Sequence, residues 1–317
     1  MRLLFTECKE DDAEFFRRAF PSDAVTTTSE TLAECGDVQD VEVLSIQVHS
    51  RVDEEALRKM PRLRVIVTRS TGLDHVDVGA AERRGVLVRN VPDYGAQTVA
   101  EHTLLLLFAI ARRLQDAIAT TREGRFELAG LLGSDLAGKT AVVIGVGAIG
   151  ERFARMAEGV GMRVLGVDPV QRPETGVSYV TLREGLSQAE ALVLCCPLVE
   201  ATRYLLNSET FTQLKQGCLL VNTARGGVVH APSLLEALGS GIVAAAGLDV
   251  LEYEEVLRGS VPAQPDQAEV LEANRRLMSH PRVIVTPHMA FYTREALTRL
   301  RQRTVELIRE AVASPSS

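Results

Sequence analysis

Arg225, Asp249 and His288 are the residues whose types and positions point to chemistry. Each stands just past an apolar run that reads as a strand: Arg225 in NTARGG after CLLVN, Asp249 at the end of VAAAGLD, His288 after VIVTP. In a doubly wound sheet, ligands bind beyond the carboxyl ends of the strands, so one cation, one carboxylate and one imidazole fall on one edge. An arginine fork grips a carboxylate bidentately. A histidine donates a proton to a carbonyl oxygen near neutral pH. Among six histidines, His102 lies in an apolar helix pattern and reads as packed or satisfied. His49, His75, His230 and His280 sit in turn or loop contexts, and only His288 joins a strand end to a preceding proline. A carboxylate partner would hold that imidazole and stabilise its charged form. Glu252, Glu254 and Glu255 are all candidates, and spacing does not choose among them.

The same edge carries Gly145-Val146-Gly147-Ala148-Ile149-Gly150. Alone, such a glycine pattern is weak. Here it follows the apolar run AVVI and opens the helical pattern ERFARMAEGV, and Asp168 ends the next strand 18 residues past Gly150. Glycine permits the tight turn and close backbone approach to a pyrophosphate, which the helix N-terminus attracts. Asp168 suits a ribose 2′-hydroxyl and repels a 2′-phosphate, favouring NAD over NADP, with Arg172 near enough to soften that preference. Cys196 and Pro197 follow the strand ALVLC on the same edge.

The elements that must position these residues form two series. LLF (3–5), VEVLSI (41–46), LRVIVT (63–68) and VLVRNV (86–91) read as four strands, with helical stretches between them. After residue 135 come TAVVIG (140–145), MRVLGVD (162–168), ALVLCC (191–196), CLLVNT (218–223), VAAAGLDV (243–250) and VIVT (283–286). Alternating strands and helices imply parallel sheets covered on both faces. Residues 97–114 read as a helix apolar nearly all round, the kind buried between larger units. Residues 293–313 read as an amphipathic helix, and Glu252–Ser279 as a long excursion without a clear strand.

Composition sets the bounds. The 317 residues suggest about two domains. A net charge of −7, with 4% aromatic residues, argues against a nucleic-acid surface. Five cysteines without a CxxC pair read as free thiols, not a disulfide framework or a metal site. No apolar run approaches the ~20 residues that span a bilayer, and charges interrupt MRLLFTECKEDD before a signal-peptide core forms. A cytoplasmic protein is expected, with no membrane partner.

The segments RSTGLDHVD (69–77), NVPDYGAQTVAEH (90–102), GVGAIG, NTARGGVV (222–229), AGLDVLEYE (246–254) and TPHMAFYT (286–293) together identify a resemblance. The chain resembles the NAD-dependent D-2-hydroxyacid dehydrogenases over essentially its full length. The resemblance implies Arg225, Glu254 and His288 as the catalytic set, so it selects Glu254 where spacing does not. It implies Gly145, Gly147, Ala148, Ile149, Gly150, Asp168, Cys196, Pro197, Thr223, Ala224 and Asp249 for the cofactor, with Asp249 on the nicotinamide carboxamide. The Ser70-Thr71-Gly72 turn is implied for the substrate carboxylate, with Tyr94 and Phe291 also at the substrate.

The implied architecture is a Rossmann cofactor domain, residues 99–290, inserted into a smaller flavodoxin-like α/β substrate domain made of 1–98 and 291–317. A homodimer with the apolar helix in its core is implied as well. Tyr94 and Phe291-Tyr292 make the chain look most like the D-lactate dehydrogenase branch. The Gln47-Val48-His49-Ser50 loop departs from that branch's pattern. The expected reaction is reversible reduction of a 2-keto acid, pyruvate to D-lactate. The alternatives are a glyoxylate or hydroxypyruvate reductase of the same family and an NADH-sensing, corepressor-like interaction protein.

Overall fold

A computed structural model describes residues 1–313; residues 314–317, the end of the expected substrate domain, lie outside the described residues. The chain divides into two compact units, Met1–Gly95 with the segment from Tyr292 onward, and Ala96–Phe291. Among the described residues each unit holds one parallel sheet.

The first unit comprises β1 (Arg2–Phe5), α1 (Glu10–Ala19), β2 (Ala24–Thr27), β3 (Val43–Ile46), α2 (Glu54–Lys59), β4 (Val65–Thr68), α3 (Val78–Arg83) and β5 (Leu87–Asn90). Its strand order is β2-β1-β3-β4-β5, the flavodoxin-like order. Strands β3 and β4 are buried at every position, as expected of strands covered on both faces. The C-terminal helix α12 (Arg294–Ala313) packs into the same core through Leu300, Val305 and Ile308. Arg301 anchors it to Asp12 of α1 at 2.5 Å.

The second unit comprises α4 (Ala96–Ala111), α5 (Leu114–Arg122), β6 (Thr140–Ile144), α6 (Ala148–Gly159), β7 (Arg163–Val167), β8 (Ser178–Tyr179), α7 (Leu182–Gln188) and β9 (Ala191–Leu194). It continues with α8 (Ser208–Phe211), β10 (Cys218–Asn222), α9 (Ala231–Gly239), β11 (Val243–Leu248), α10 (Glu254–Leu257), α11 (Ala268–Met278) and β12 (Val283–Val285). The sheet order is β12-β11-β10-β9-β6-β7-β8, a doubly wound Rossmann order in which direction reverses between β6 and β9.

Three expectations need correction. Each series holds one strand more than its sequence suggests: β2, reading AVTT, and β8, reading SY, are short edge strands without a buried apolar run. The stretch Glu252–Ser279 is not mainly a loop. Val270, Leu271, Ala273, Asn274 and Leu277 give α11 one buried face at helical spacing. The apolar helix α4 is not buried all round: Leu105 is 55% and Phe108 39% exposed.

The glycines after β6 are fixed by contact. Gly145 has φ +92°, and a Cβ there would lie 2.6 Å from the backbone N of Cys196, across the point where the sheet reverses. A Cβ on Gly150 would lie 2.0 Å from the carbonyl O of Gly145. Gly147 differs, since nothing lies within 4 Å of where its Cβ would be. Gly150→Ala is expected to cost about 3 kcal/mol in chemical denaturation, because backbone cannot yield as a flexible side chain does.

Candidate active site

Strands β10, β11 and β12 lie side by side, with Asn222 opposite Leu248 and Leu248 opposite Val285. Arg225, Asp249 and His288 therefore emerge from neighbouring strands at one edge. Asn222 shapes the turn after β10: its side chain accepts from Ala224 N at 3.0 Å and donates to Arg225 O at 3.0 Å. Arg225 is half-buried and donates from Nη1 to Ala224 O at 2.8 Å. A Cβ on Gly226 would lie 2.0 Å from the carbonyl carbon of Leu251, so the turn presses against the segment leading to Glu252.

The acidic cluster separates cleanly. Glu254 Oε2 meets His288 Nδ1 at 2.8 Å, while Glu254 Oε1 accepts from Leu251 N at 3.0 Å. Arg258, one turn along α10, also reaches Glu254 Oε2 at 3.0 Å. Glu252 is buried and braced elsewhere, by Arg203 Nη1 at 3.0 Å and Tyr204 OH at 2.9 Å. Burial against that carboxylate pushes the Tyr204 phenol up to about 12. Glu255 is exposed.

His288 stands at φ +53°, a backbone conformation that a non-glycine residue rarely adopts. Asp249 holds it there. Its carboxylate accepts from Met289 N at 2.9 Å, Ala290 N at 2.9 Å and Thr286 Oγ1 at 2.5 Å, and its carbonyl accepts from His288 N at 2.8 Å. Burial alone would raise the Asp249 pKa. The hydrogen bonds, from His102 and Thr286 and then from Ala290 and Met289, outweigh it and leave the group below the ordinary carboxylate value. His102 of α4 meets Thr286 Oγ1 at 3.1 Å, so it is satisfied, and it backs the turn that carries His288. Neither this brace nor that of Glu252 was legible in the sequence, since the partners are scattered along the chain.

The cofactor residues of the expected set, with Phe291, fall on the edge and in the turns around it. Ala148 and Ile149 open α6. Asp168 follows β7, and its oxygens accept from Val146 N and Val170 N, each at 2.8 Å. Arg172 donates to Val146 O at 2.7 Å, which ties it to the glycine loop. Cys196 is buried after β9 and Pro197 is exposed. Ala224 is buried, and Thr223 Oγ1 shares a hydrogen bond with Thr103 Oγ1 of α4 at 2.7 Å. Phe291 stands edge-on to His288, with ring centroids 6.4 Å apart. The open space at Gly147, the start of α6 and the Asp168 carboxylate together fit a dinucleotide.

In the first unit, Ser70 is buried, shares a hydrogen bond with Thr68 Oγ1 at 2.9 Å and donates to Gly72 O at 2.8 Å. Thr71 is exposed, and its carbonyl accepts from Asn90 Nδ2 at 2.6 Å. Tyr94 is half-buried against that unit's core. Among the described residues no cluster of three or more His, Cys, Asp or Glu could hold a metal ion, and no helix is long and apolar enough to cross a membrane.

The chain is similar in sequence and in fold to known proteins. Residues 104–290 match the model of the D-isomer specific 2-hydroxyacid dehydrogenase NAD binding domain. A hydroxypyruvate reductase of Thermotoga maritima is 36% identical over 273 residues, covering 86% of this chain and 85% of its own length. The D-lactate dehydrogenase kk1H of Curvularia clavata is 35% identical over 289 residues, covering 89% of this chain and 80% of its own. The solved structure of D-lactate dehydrogenase from Aquifex aeolicus, complexed with NAD and lactic acid, superposes with a TM-score of 0.89 at 33% identity, over 98% of this chain and 95% of that one. The chain belongs to the D-isomer specific 2-hydroxyacid dehydrogenases, NAD-dependent oxidoreductases that act on 2-hydroxy acids.

Proposed function

We propose that the chain interconverts a small 2-keto acid and its D-2-hydroxy acid, with pyruvate and D-lactate the leading pair. The observation that carries this reading is the 2.8 Å contact between Glu254 Oε2 and His288 Nδ1. With Nδ1 committed to Glu254, Nε2 is left to face the substrate. Bound NADH supplies the hydride that reaches the keto carbon. His288 gives its Nε2 proton to the carbonyl oxygen as the negative charge develops there, and Glu254 compensates the imidazolium charge beforehand. Arg225 grips the substrate carboxylate and polarises the neighbouring carbonyl. In the first unit, the Ser70-Thr71-Gly72 turn offers backbone N–H groups to the carboxylate, and Tyr94 is assigned to the substrate as well. Asp249 acts through the Thr286–Ala290 turn as well as toward the nicotinamide.

The likeness to D-lactate dehydrogenase favours pyruvate, and relatives named hydroxypyruvate reductase and glyoxylate reductase keep hydroxypyruvate and glyoxylate as the second reading. The five free cysteines suit a cytoplasmic enzyme. Burial pushes the Cys218 thiol up to about 12, away from the thiolate form that reacts. The exposed apolar residues Leu105 and Phe108 of α4 and Leu114 and Ile118 of α5 support a homodimer formed through these helices.

Three outcomes test this reading. His288→Gln is expected to lower kcat about 10³-fold, with NADH affinity retained by fluorescence titration. A chain that binds NADH yet reduces none of pyruvate, phenylpyruvate, hydroxypyruvate and glyoxylate would instead be a sensing protein. Light scattering is expected to give twice the chain mass, and Leu105→Glu with Phe108→Glu to give monomer; a dimer surviving both charges would move the interface elsewhere. Asp249 adds a pH signature. Its folded pKa lies below the ordinary 3.8, so the ionised group contributes stability above about pH 4 that fades as pH falls further. In denaturant titrations the deficit of Asp249→Asn should be full at neutral pH and should close below about pH 4.

A further inference from the structure

Glu7 follows β1 and stands at φ +52°, one of the few non-glycine residues in the left-handed region. Its carboxylate accepts three backbone N–H groups from the loop after β3. Gln47 N and Ser50 N reach Oε2 at 3.0 and 3.1 Å, and His49 N reaches Oε1 at 3.0 Å. Three converging amides make an anion-binding nest, and here the chain fills the nest with its own carboxylate. The order β2-β1-β3-β4-β5 puts its reversal between β1 and β3, so Glu7 closes that unit's own switch point.

The loop has a second anchor at its root. Ser50 is buried, shares a hydrogen bond with Thr6 Oγ1 at 3.1 Å and accepts from Leu32 N at 2.9 Å. Arg69 ties the neighbouring strand ends together beneath it. It is buried and donates to Ser45 O at 3.0 Å, Ser45 Oγ at 2.9 Å and Thr6 O. With backbone and root fixed in this way, Val48 and His49 are the loop's exposed side chains. Strand β3 is hydrogen-bonded to β4, whose following turn is Ser70-Thr71-Gly72. Adjacent strands lie ~4.8 Å apart, so the two loops are neighbours along one carboxyl edge.

We infer that Glu7 is a specificity-positioning residue, whose carboxylate fixes the Gln47–Ser50 loop so that Val48 and His49 face the side chain of a substrate held by its carboxylate on the Ser70–Gly72 turn. The inference rests on the 2-keto acid reading above. A loop held by three charge-assisted bonds presents one fixed wall, whereas a loose loop discriminates poorly among side chains. Glu7→Gln keeps the shape but removes the charge and, whichever way its amide is turned, sets an NH2 donor against at least one of the three backbone N–H groups.

The test compares kcat/KM for glyoxylate, which has no side chain, with pyruvate and phenylpyruvate. In Glu7→Gln the pyruvate and phenylpyruvate values are expected to fall about tenfold relative to glyoxylate, with the Kd for NADH held. The double variant Val48→Ala, His49→Ala should move the same ratios, and adding Glu7→Gln to it should move them no further. An equal fall for all three acids in Glu7→Gln overturns the inference, because that is what a general loss of stability gives. Unchanged ratios in the loop double variant overturn it even if Glu7→Gln does not fold. If the unmodified chain reduces none of the three acids, the underlying reading falls as well.

Discussion

The buried carboxylate of Asp249 is the point on which the edge carrying Arg225 and His288 depends. It sits at the end of β11 and takes its hydrogen bonds from the turn after β12, at Thr286, Met289 and Ala290. That turn carries His288 in a left-handed backbone conformation, which costs free energy on its own and persists only where its surroundings over-determine it. Burying a lone carboxylate is costly too. Each problem is answered by the other: the strained turn supplies donors, and the charge holds the turn. His288 is thereby directed to Glu254, and the same neighbourhood receives His102 from α4.

Around this anchor the second unit repeats one device. The side chains of the candidate site sit in short turns after strands, and each turn is braced by a polar group, from within the turn or from a distant stretch of chain. Asn222 braces the Arg225 turn from within, and Glu252 stands against it, held by Arg203 and Tyr204. Asp168 holds the glycine loop through Val146 N. The first unit does the same with Glu7 and the Gln47–Ser50 loop. Rigid strands set the spacing, and polar contacts, most of them part-buried, set the direction of each turn. This is the preorganisation that electrostatic catalysis requires.

What could be read from the sequence follows from how local each signal is. The glycine loop was legible because its turn, helix start and Asp168 all lie within one strand-helix-strand unit. The buried strands were legible as continuous apolar runs. The edge strands β2 and β8 were not, since an edge needs no such run. Helix α11 was masked by polar residues on its outer face and by the prolines that precede it. Arg225 and His288 were singled out by residue type and strand-end position, with the preceding proline for His288, but choosing Glu254 over Glu252 needed the family resemblance, because the pairing spans 34 residues. The contacts of Glu7 span 40 to 43 residues, and no local pattern announces them.

On the proposed reading, this edge directs hydride to the carbon of a 2-keto acid while His288 protonates the oxygen. The most direct measurement is product analysis after reaction of pyruvate with NADH deuterated at the transferable C4 position. D-lactate carrying one deuterium at C2 is the expected product. Lactate of the L configuration, or lactate without deuterium at C2, would contradict it.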